Sequence, residues 1–237
     1  MRISPANRKA RAPIHRGAFA AAAATLAFVA PLRRAASTAR GQAGVMKVMA
    51  VVWVPGVASA LSSIGFGAIT AFSALLFVTR GWAAWPGFSA FAAAFILTRV
   101  VLGHVADRFG GARVALVCAM IEAAGLGLMS LSPWFAPALI GAALTGAGYS
   151  LVYPGFGVEA VRRAPAQSRG LAMGAYTTFL DVALGFGTPA LGLLAQLAGL
   201  GTVFVASMLA AVTAAGIAAA TLYVPRARRG CGALACP

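Results

Sequence analysis

Acidic residues are almost absent from this chain: four Asp and Glu in 237 positions, against nineteen Lys and Arg. Charged residues of either sign make up 10% of the sequence, where a soluble domain carries about a quarter. That deficit excludes a water-facing shell, so most of the surface must face lipid. Histidine occurs twice and cysteine three times. Cys118 lies in an apolar run and Cys231 and Cys236 in the tail, which yields neither a disulfide framework nor a zinc spacing. His15 and His104 have no partner set, and no nucleophile triad, phosphate loop or metal cluster appears. An enzyme is therefore not expected, and no cofactor is.

What the chain does have is apolar length. Hydrophobic residues account for 61% of it, in runs of about 18–25 residues, the length a bilayer core demands. Six runs qualify as spans: residues 50–78, 86–102, 114–131, 137–158, 171–197 and 202–224. The connections 79–85, 103–113, 132–136, 159–170 and 198–201 are short enough to force an up-down arrangement. The fold expected is an all-α integral membrane bundle of six transmembrane helices. Twenty-eight glycines fit it, because Gly permits close packing of membrane helices.

A net charge of +15 invites a nucleic-acid reading, which the distribution rejects. A nucleic-acid binder gathers its basic residues on a soluble face. Here they come in bursts between apolar runs. One face of the bundle receives Lys47, Arg108, Arg113, Arg162, Arg163, Arg169, Arg226, Arg228 and Arg229, and the other receives Arg80 alone. The positive-inside rule then puts both ends of the six-helix unit, and the basic tail 225–237, in the cytoplasm.

The first 45 residues stand apart from the unit 46–224. Residues 1–16 are basic and read as disordered. Residues 17–32 are apolar but too short for a full span. Three readings stay open: a cleaved signal peptide, which would invert the loop map, the remnant of a preceding membrane helix, or an interfacial segment.

The loop Gly103-His-Val-Ala-Asp107-Arg108-Phe-Gly110-Gly111-Ala-Arg113 is the most informative segment. It is a compact charged hinge between two long apolar runs. It resembles the Gly-x-x-x-Asp-Arg-x-Gly-x-Arg/Lys motif that follows the second and eighth helices of the major facilitator superfamily. Gly103, Asp107, Arg108, Gly110 or Gly111, and Arg113 fill its places. Gly65-Phe-Gly67, Thr98-Arg99, Ile121-Glu122, the run from Gly146 to Pro154 and Thr178-Phe-Leu-Asp181 are similar to the C-terminal half of bacterial sugar-efflux-like members, of the arabinose efflux permease type. The resemblance covers about residues 47–223. It implies that the six helices form one half of a major facilitator-type bundle, with the first six helices unaccounted for. It also implies alternating access: two six-helix bundles rock about a solute site near the midplane, often coupled to protons.

Two acidic residues fall mid-span. Glu122 sits about 12 Å into its helix and Asp181 about 15 Å, at 1.5 Å per residue. A carboxylate there costs about 2.5–3.5 kcal/mol on insertion scales, so each must face the bundle or a wet cavity. At helical spacing Glu122 shares a face with the small residues Ala115, Cys118 and Gly125. Asp181 shares one with Gly174, Thr177, Thr178, Gly185 and Thr188. Glu122, Asp181, Tyr149, Tyr153, Thr177 and Thr178 are the candidate solute or proton pathway, although a tyrosine in a span also serves as packing. Tyr176 has the same double reading.

Arg99, Gly103, Asp107, Arg108, Gly110 and Arg113 are the candidate cytoplasmic gate. Arg99 would either snorkel to the interface or pair with Asp107 or another carboxylate. Glu159 should form a solvated local pair with Arg162 or Arg163. The glycines Gly141, Gly146, Gly148, Gly185 and Gly187 offer close-contact faces for association.

The function expected is secondary transport, as efflux of a small polar or amphipathic solute, across the inner membrane of a bacterium. The partners expected are the bilayer, a small solute, and either a homodimeric copy or a separate N-terminal half. The alternative is a non-transporting membrane subunit that assembles with such a half.

Overall fold

The computed structural model describes residues 42–104 and 108–223. Segment 17–32, Asp107 and the tail from residue 224 onward lie outside the described residues. Six helices follow in order: α1 (Gln42–Thr79), α2 (Trp85–Leu102), α3 (Gly111–Leu131), α4 (Phe135–Arg163), α5 (Arg169–Ala198) and α6 (Leu200–Tyr223). A 3-10 turn, Ala166–Ser168, precedes α5, and there is no strand among the described residues. The shortest apolar span, Trp85–Leu102, has 18 residues, about 27 Å of rise and close to the thickness of a bilayer core. The described residues form a six-span all-α membrane bundle.

The helices match the apolar runs, with one extension of note. α4 continues past residue 158 to Arg163. Glu159 accepts a bond from Arg163 Nε at 2.8 Å, one helical turn on, forming the local pair expected of it. Arg162 and Arg163 in the last turn also complement the negative end of the helix dipole.

α3 and α4 form the tightest pair, with α6 on α3 and α2 on α4. Small residues make that approach possible. A Cβ built on Gly125 would stand 2.6 Å from the Gly141 carbonyl oxygen, and one on Gly141 2.7 Å from that of Gly125. Gly146 is pressed against the Phe91 backbone and Gly148 against that of Cys118 and Glu122. These three glycines are therefore spent inside the bundle, which corrects their expected use as outward contact faces. Gly185 has open space around it.

Two apolar clusters fill the bundle, one toward each end. The first gathers Val52, Val114, Phe156 and Ala215; the second gathers Ile69, Phe77, Leu126, Met129 and Phe204. Between them, at middle depth, lies a buried polar layer of Ser59, Ser62, Ser63, Glu122, Thr145 and Ser150.

At the end away from the basic loops, Arg80 holds two connections together. Its Nη1 donates to the carbonyls of Met129 at 2.9 Å and Ser132 at 2.8 Å, and its Nη2 to that of Ser130 at 3.1 Å. Those of Met129 and Ser130 are unpaired carbonyls of the last turn of α3, the negative end of its dipole, and Ser132 is its C-cap residue. The same guanidinium lies 5.6 Å from the Trp82 ring centre. Trp82 packs edge-on to Phe77 and Phe135 at 5.4 and 5.5 Å. The lone basic residue on this face is a helix cap.

Two outcomes follow. Arg80→Gln should destabilise the detergent-solubilised protein by about 2 kcal/mol, because three charge-assisted bonds end on buried carbonyls. Arg80→Lys should recover only part of this, as read by thermal unfolding. For topology, a cysteine at the exposed Gln167 should resist membrane-impermeant maleimide in intact cells, and one at Ala83 should react, with the native cysteines changed to Ser. Labelling of Gln167→Cys from outside would invert the map. Gly111 is unsuitable as a probe, because it is packed against the backbone of Gly155.

Candidate functional site

The polar layer begins with three serines on α1. Ser59, Ser62 and Ser63 stand three and four residues apart, so they share one face of a helix whose other residues are mostly apolar. Each reaches a different neighbour. Ser62 Oγ donates to Glu122 Oε2 on α3. Ser63 Oγ donates to the Ser59 carbonyl at 2.7 Å and lies 3.1 Å from the Tyr149 hydroxyl of α4. Ser63 has one proton, already given to a carbonyl, so Tyr149 is the donor in the second contact.

Tyr176 of α5 lies 2.8 Å from Ser59 Oγ and 2.7 Å from the Tyr153 carbonyl. A carbonyl only accepts, so the Tyr176 proton goes there and Ser59 donates to Tyr176. α1 is thereby bonded to α3, α4 and α5 at one depth. The serines were not singled out from the sequence, although their i, i+3, i+4 spacing inside a span is a readable signal.

The residues expected on the pathway divide into two groups. Glu122 is fully enclosed, with 0% exposure. Its Oε2 has Ser62 as partner, and its Oε1, set against Gly65, has no hydrogen-bond partner among the described residues. Tyr149 is buried beside it, stacked on Phe66 at 4.9 Å and near Phe95 at 6.3 Å. These two belong to the interior layer.

The second group lies on an open face made by α2, α4 and α5. Asp181 and Thr178 are exposed, and Thr177 and Tyr153 half-buried. The Thr177 and Thr178 hydroxyls both donate to the Gly174 carbonyl of their own helix, at 2.9 and 3.0 Å, which leaves their lone pairs outward. The Tyr153 ring packs against Tyr176 at 5.1 Å. Asp181 and Arg99 both lie within electrostatic reach of the Tyr153 hydroxyl.

Arg99 has a specific task. Pro154 has no N–H, so the carbonyl one turn back, that of Ser150, loses its helical donor. Arg99 Nη1 donates to that carbonyl at 3.2 Å. The side chain reaches toward the N-terminal end of its helix, as helical side chains do. It therefore points toward the middle of the bundle and away from the nearby end of α2, which corrects the expectation that it snorkels outward. Its other expected role, a pair with Asp107, falls outside the described residues.

In the loop expected to form the gate, Arg108 and Arg113 are exposed and Gly103 keeps a helical backbone (φ −55°). Gly110 has φ +90°, a conformation that side chains disfavour, and it sits immediately before α3. Gly110 thus makes the turn, and Gly111 supplies the close contact with α4.

Tyr176→Phe should lower the thermal transition in detergent, by about 1 kcal/mol of lost bonding, since it unties α5 from α1 and α4. Thr178→Val, whose hydroxyl bonds only its own helix, should leave that transition unchanged.

Comparison with known proteins agrees with this architecture. A family model described as Major Facilitator Superfamily matches residues 58–232. A Pseudomonas aeruginosa protein named as an uncharacterised MFS-type transporter is 44% identical over 177 residues, 73% of this chain and 43% of its own length. A Salmonella typhimurium protein of the same description is 42% identical over 182 residues, 76% of this chain and 47% of its own. The MFS-type transporter YhhS of Escherichia coli is 40% identical over 163 residues, 68% of this chain and 40% of its own. The chain spans less than half the length of these relatives. It belongs to the major facilitator superfamily, a family of multi-pass membrane transporters and not of enzymes.

Proposed function

We propose that this chain forms one wall of a secondary transporter in the cytoplasmic membrane of a bacterium, with its basic loops and tail in the cytoplasm. The transporter exports a small polar or amphipathic solute, of which a sugar is one example, and couples export to protons. One observation carries the reading. Asp181 stands exposed at mid-span, where contact with hydrocarbon would cost about 2.5–3.5 kcal/mol, and Arg99, exposed in the last turn of α2, reaches Ser150 of α4. A water-lined solute cavity removes that cost.

Tyr153, Thr177, Thr178 and Asp181 make the solute-facing surface, and Arg99 flanks it. Gly103, Asp107, Arg108, Gly110 and Arg113 form the cytoplasmic gate, closing by contact with a facing bundle. That bundle is either a second copy of this chain or a separate N-terminal half. It covers α2 and α5, the two helices with the least buried length.

Proton coupling falls to Glu122. Its partner is the Ser62 hydroxyl of α1, so any shift of α1 changes the surroundings of the carboxyl. Reconstituted into proteoliposomes, the protein should drive solute flux that rises with an imposed pH gradient. Glu122→Gln, which keeps the size and a hydrogen-bonding oxygen, should retain solute exchange and lose the response to the gradient. Flux that responds equally in both proteins would remove Glu122 from the coupling path.

A further inference from the structure

The open face carries a pair of opposite charges that do not meet. The only ion pair among the described residues is Arg163 with Glu159. Arg99 and Asp181 therefore have no ionic partner within bonding distance among those residues, yet both are exposed, Asp181 at mid-span and Arg99 in the last turn of α2 with its side chain held at Ser150. Their depths agree. α4 and α5 run antiparallel and are pinned together where the Tyr176 hydroxyl meets the Tyr153 carbonyl. From that point Ser150, which holds Arg99, is three residues along α4, and Asp181 is five residues along α5 in the same direction. These are about 4.5 and 7.5 Å of rise, so the two groups lie within one turn of each other in depth.

The pair is also preorganised. Arg99 commits one N–H to the Ser150 carbonyl that Pro154 leaves without a donor. A guanidinium has five, so the remaining donors of this anchored group are available to an acid. Asp181 follows Thr178 by three residues on the same exposed face of α5. Tyr153 is half-buried on the same open face, its ring packed against Tyr176 at 5.1 Å.

A neutral sugar satisfies neither charge in full, and a simple cation or anion is repelled by one of them. We propose that Arg99, Tyr153 and Asp181 form a recognition site for a small zwitterion, with its acidic group on Arg99, its ammonium on Asp181 and its linking chain against the Tyr153 ring. This deepens the transporter reading above and rests on it.

The test uses the full chain in native membrane vesicles, with Cys118, Cys231 and Cys236 changed to Ser and a reporter Thr178→Cys. Alkylation by a water-soluble maleimide is timed with 4-aminobutyrate, butyrate, butylamine or L-arabinose present. 4-Aminobutyrate should protect the reporter at a concentration about tenfold lower than butyrate or butylamine, the worth of one charge-assisted contact. Arg99→Gln should reduce its advantage to that of butylamine, and Asp181→Asn to that of butyrate. A variant that merely fails to fold would show protection by neither, so the pattern separates recognition from damage. Equal protection by 4-aminobutyrate and butyrate, protection by L-arabinose alone, or no protection by 4-aminobutyrate would each overturn the zwitterion site. Flux of either 4-aminobutyrate or L-arabinose in proteoliposomes of the same chain decides separately whether the transporter reading stands: flux of neither would overturn it.

Discussion

Hydrocarbon offers no hydrogen bonds, so every polar group placed at mid-bilayer must find its partner inside the chain or face water. This constraint organises the bundle. The chain places a seryl stripe, a carboxyl and two buried tyrosines, Tyr149 and Tyr176, at one depth and surrounds them with two apolar clusters. Each α1 serine serves a different neighbouring helix, so a single stripe fixes the position of α1 against α3, α4 and α5. Such bonds average about 0.6 kcal/mol each in membranes, modest individually. Their common depth ties α1 to three helices at one level, with dispersion packing above and below.

The same constraint explains where the arginines go. Arg80 and Arg99 both end on backbone carbonyls that a helix has left without donors. Arg80 meets the frayed end of α3, and Arg99 the gap opened by Pro154. In both cases a guanidinium is held by a local backbone defect. At the membrane edge this closes a helix end. At mid-depth it leaves a fixed positive group beside an open face, with Asp181 on the flanking helix.

Much of this was legible in the sequence because it depends on length and sign of charge. The six apolar runs gave the helices, and the Gly-Asp-Arg loop pointed to the superfamily. The small face that Glu122 shares with Ala115, Cys118 and Gly125 also holds, since 3.6-residue periodicity alone determines it. What failed to show was tertiary. Tyr149 and Tyr153 are four residues apart and share a face, yet one points into the interior layer and the other edges the open surface. The difference comes from where α2 and α5 lie beside α4, which no spacing records. Likewise Arg99 reads as a snorkelling end residue until Pro154 and Ser150 are seen on the neighbouring helix.

The central claim is that α5 carries a wet side and a lipid side. Gly174, Thr178, Asp181 and Gly185 line one, and Val182, Phe186 and Leu193 are exposed on the other. A cysteine-accessibility scan along α5 in native membranes, with a small water-soluble thiol reagent, measures this directly. The account predicts high reactivity at positions 174, 178, 181 and 185 and protection at 182, 186 and 193. Uniform protection along the helix, or reactivity at the second set, would contradict it.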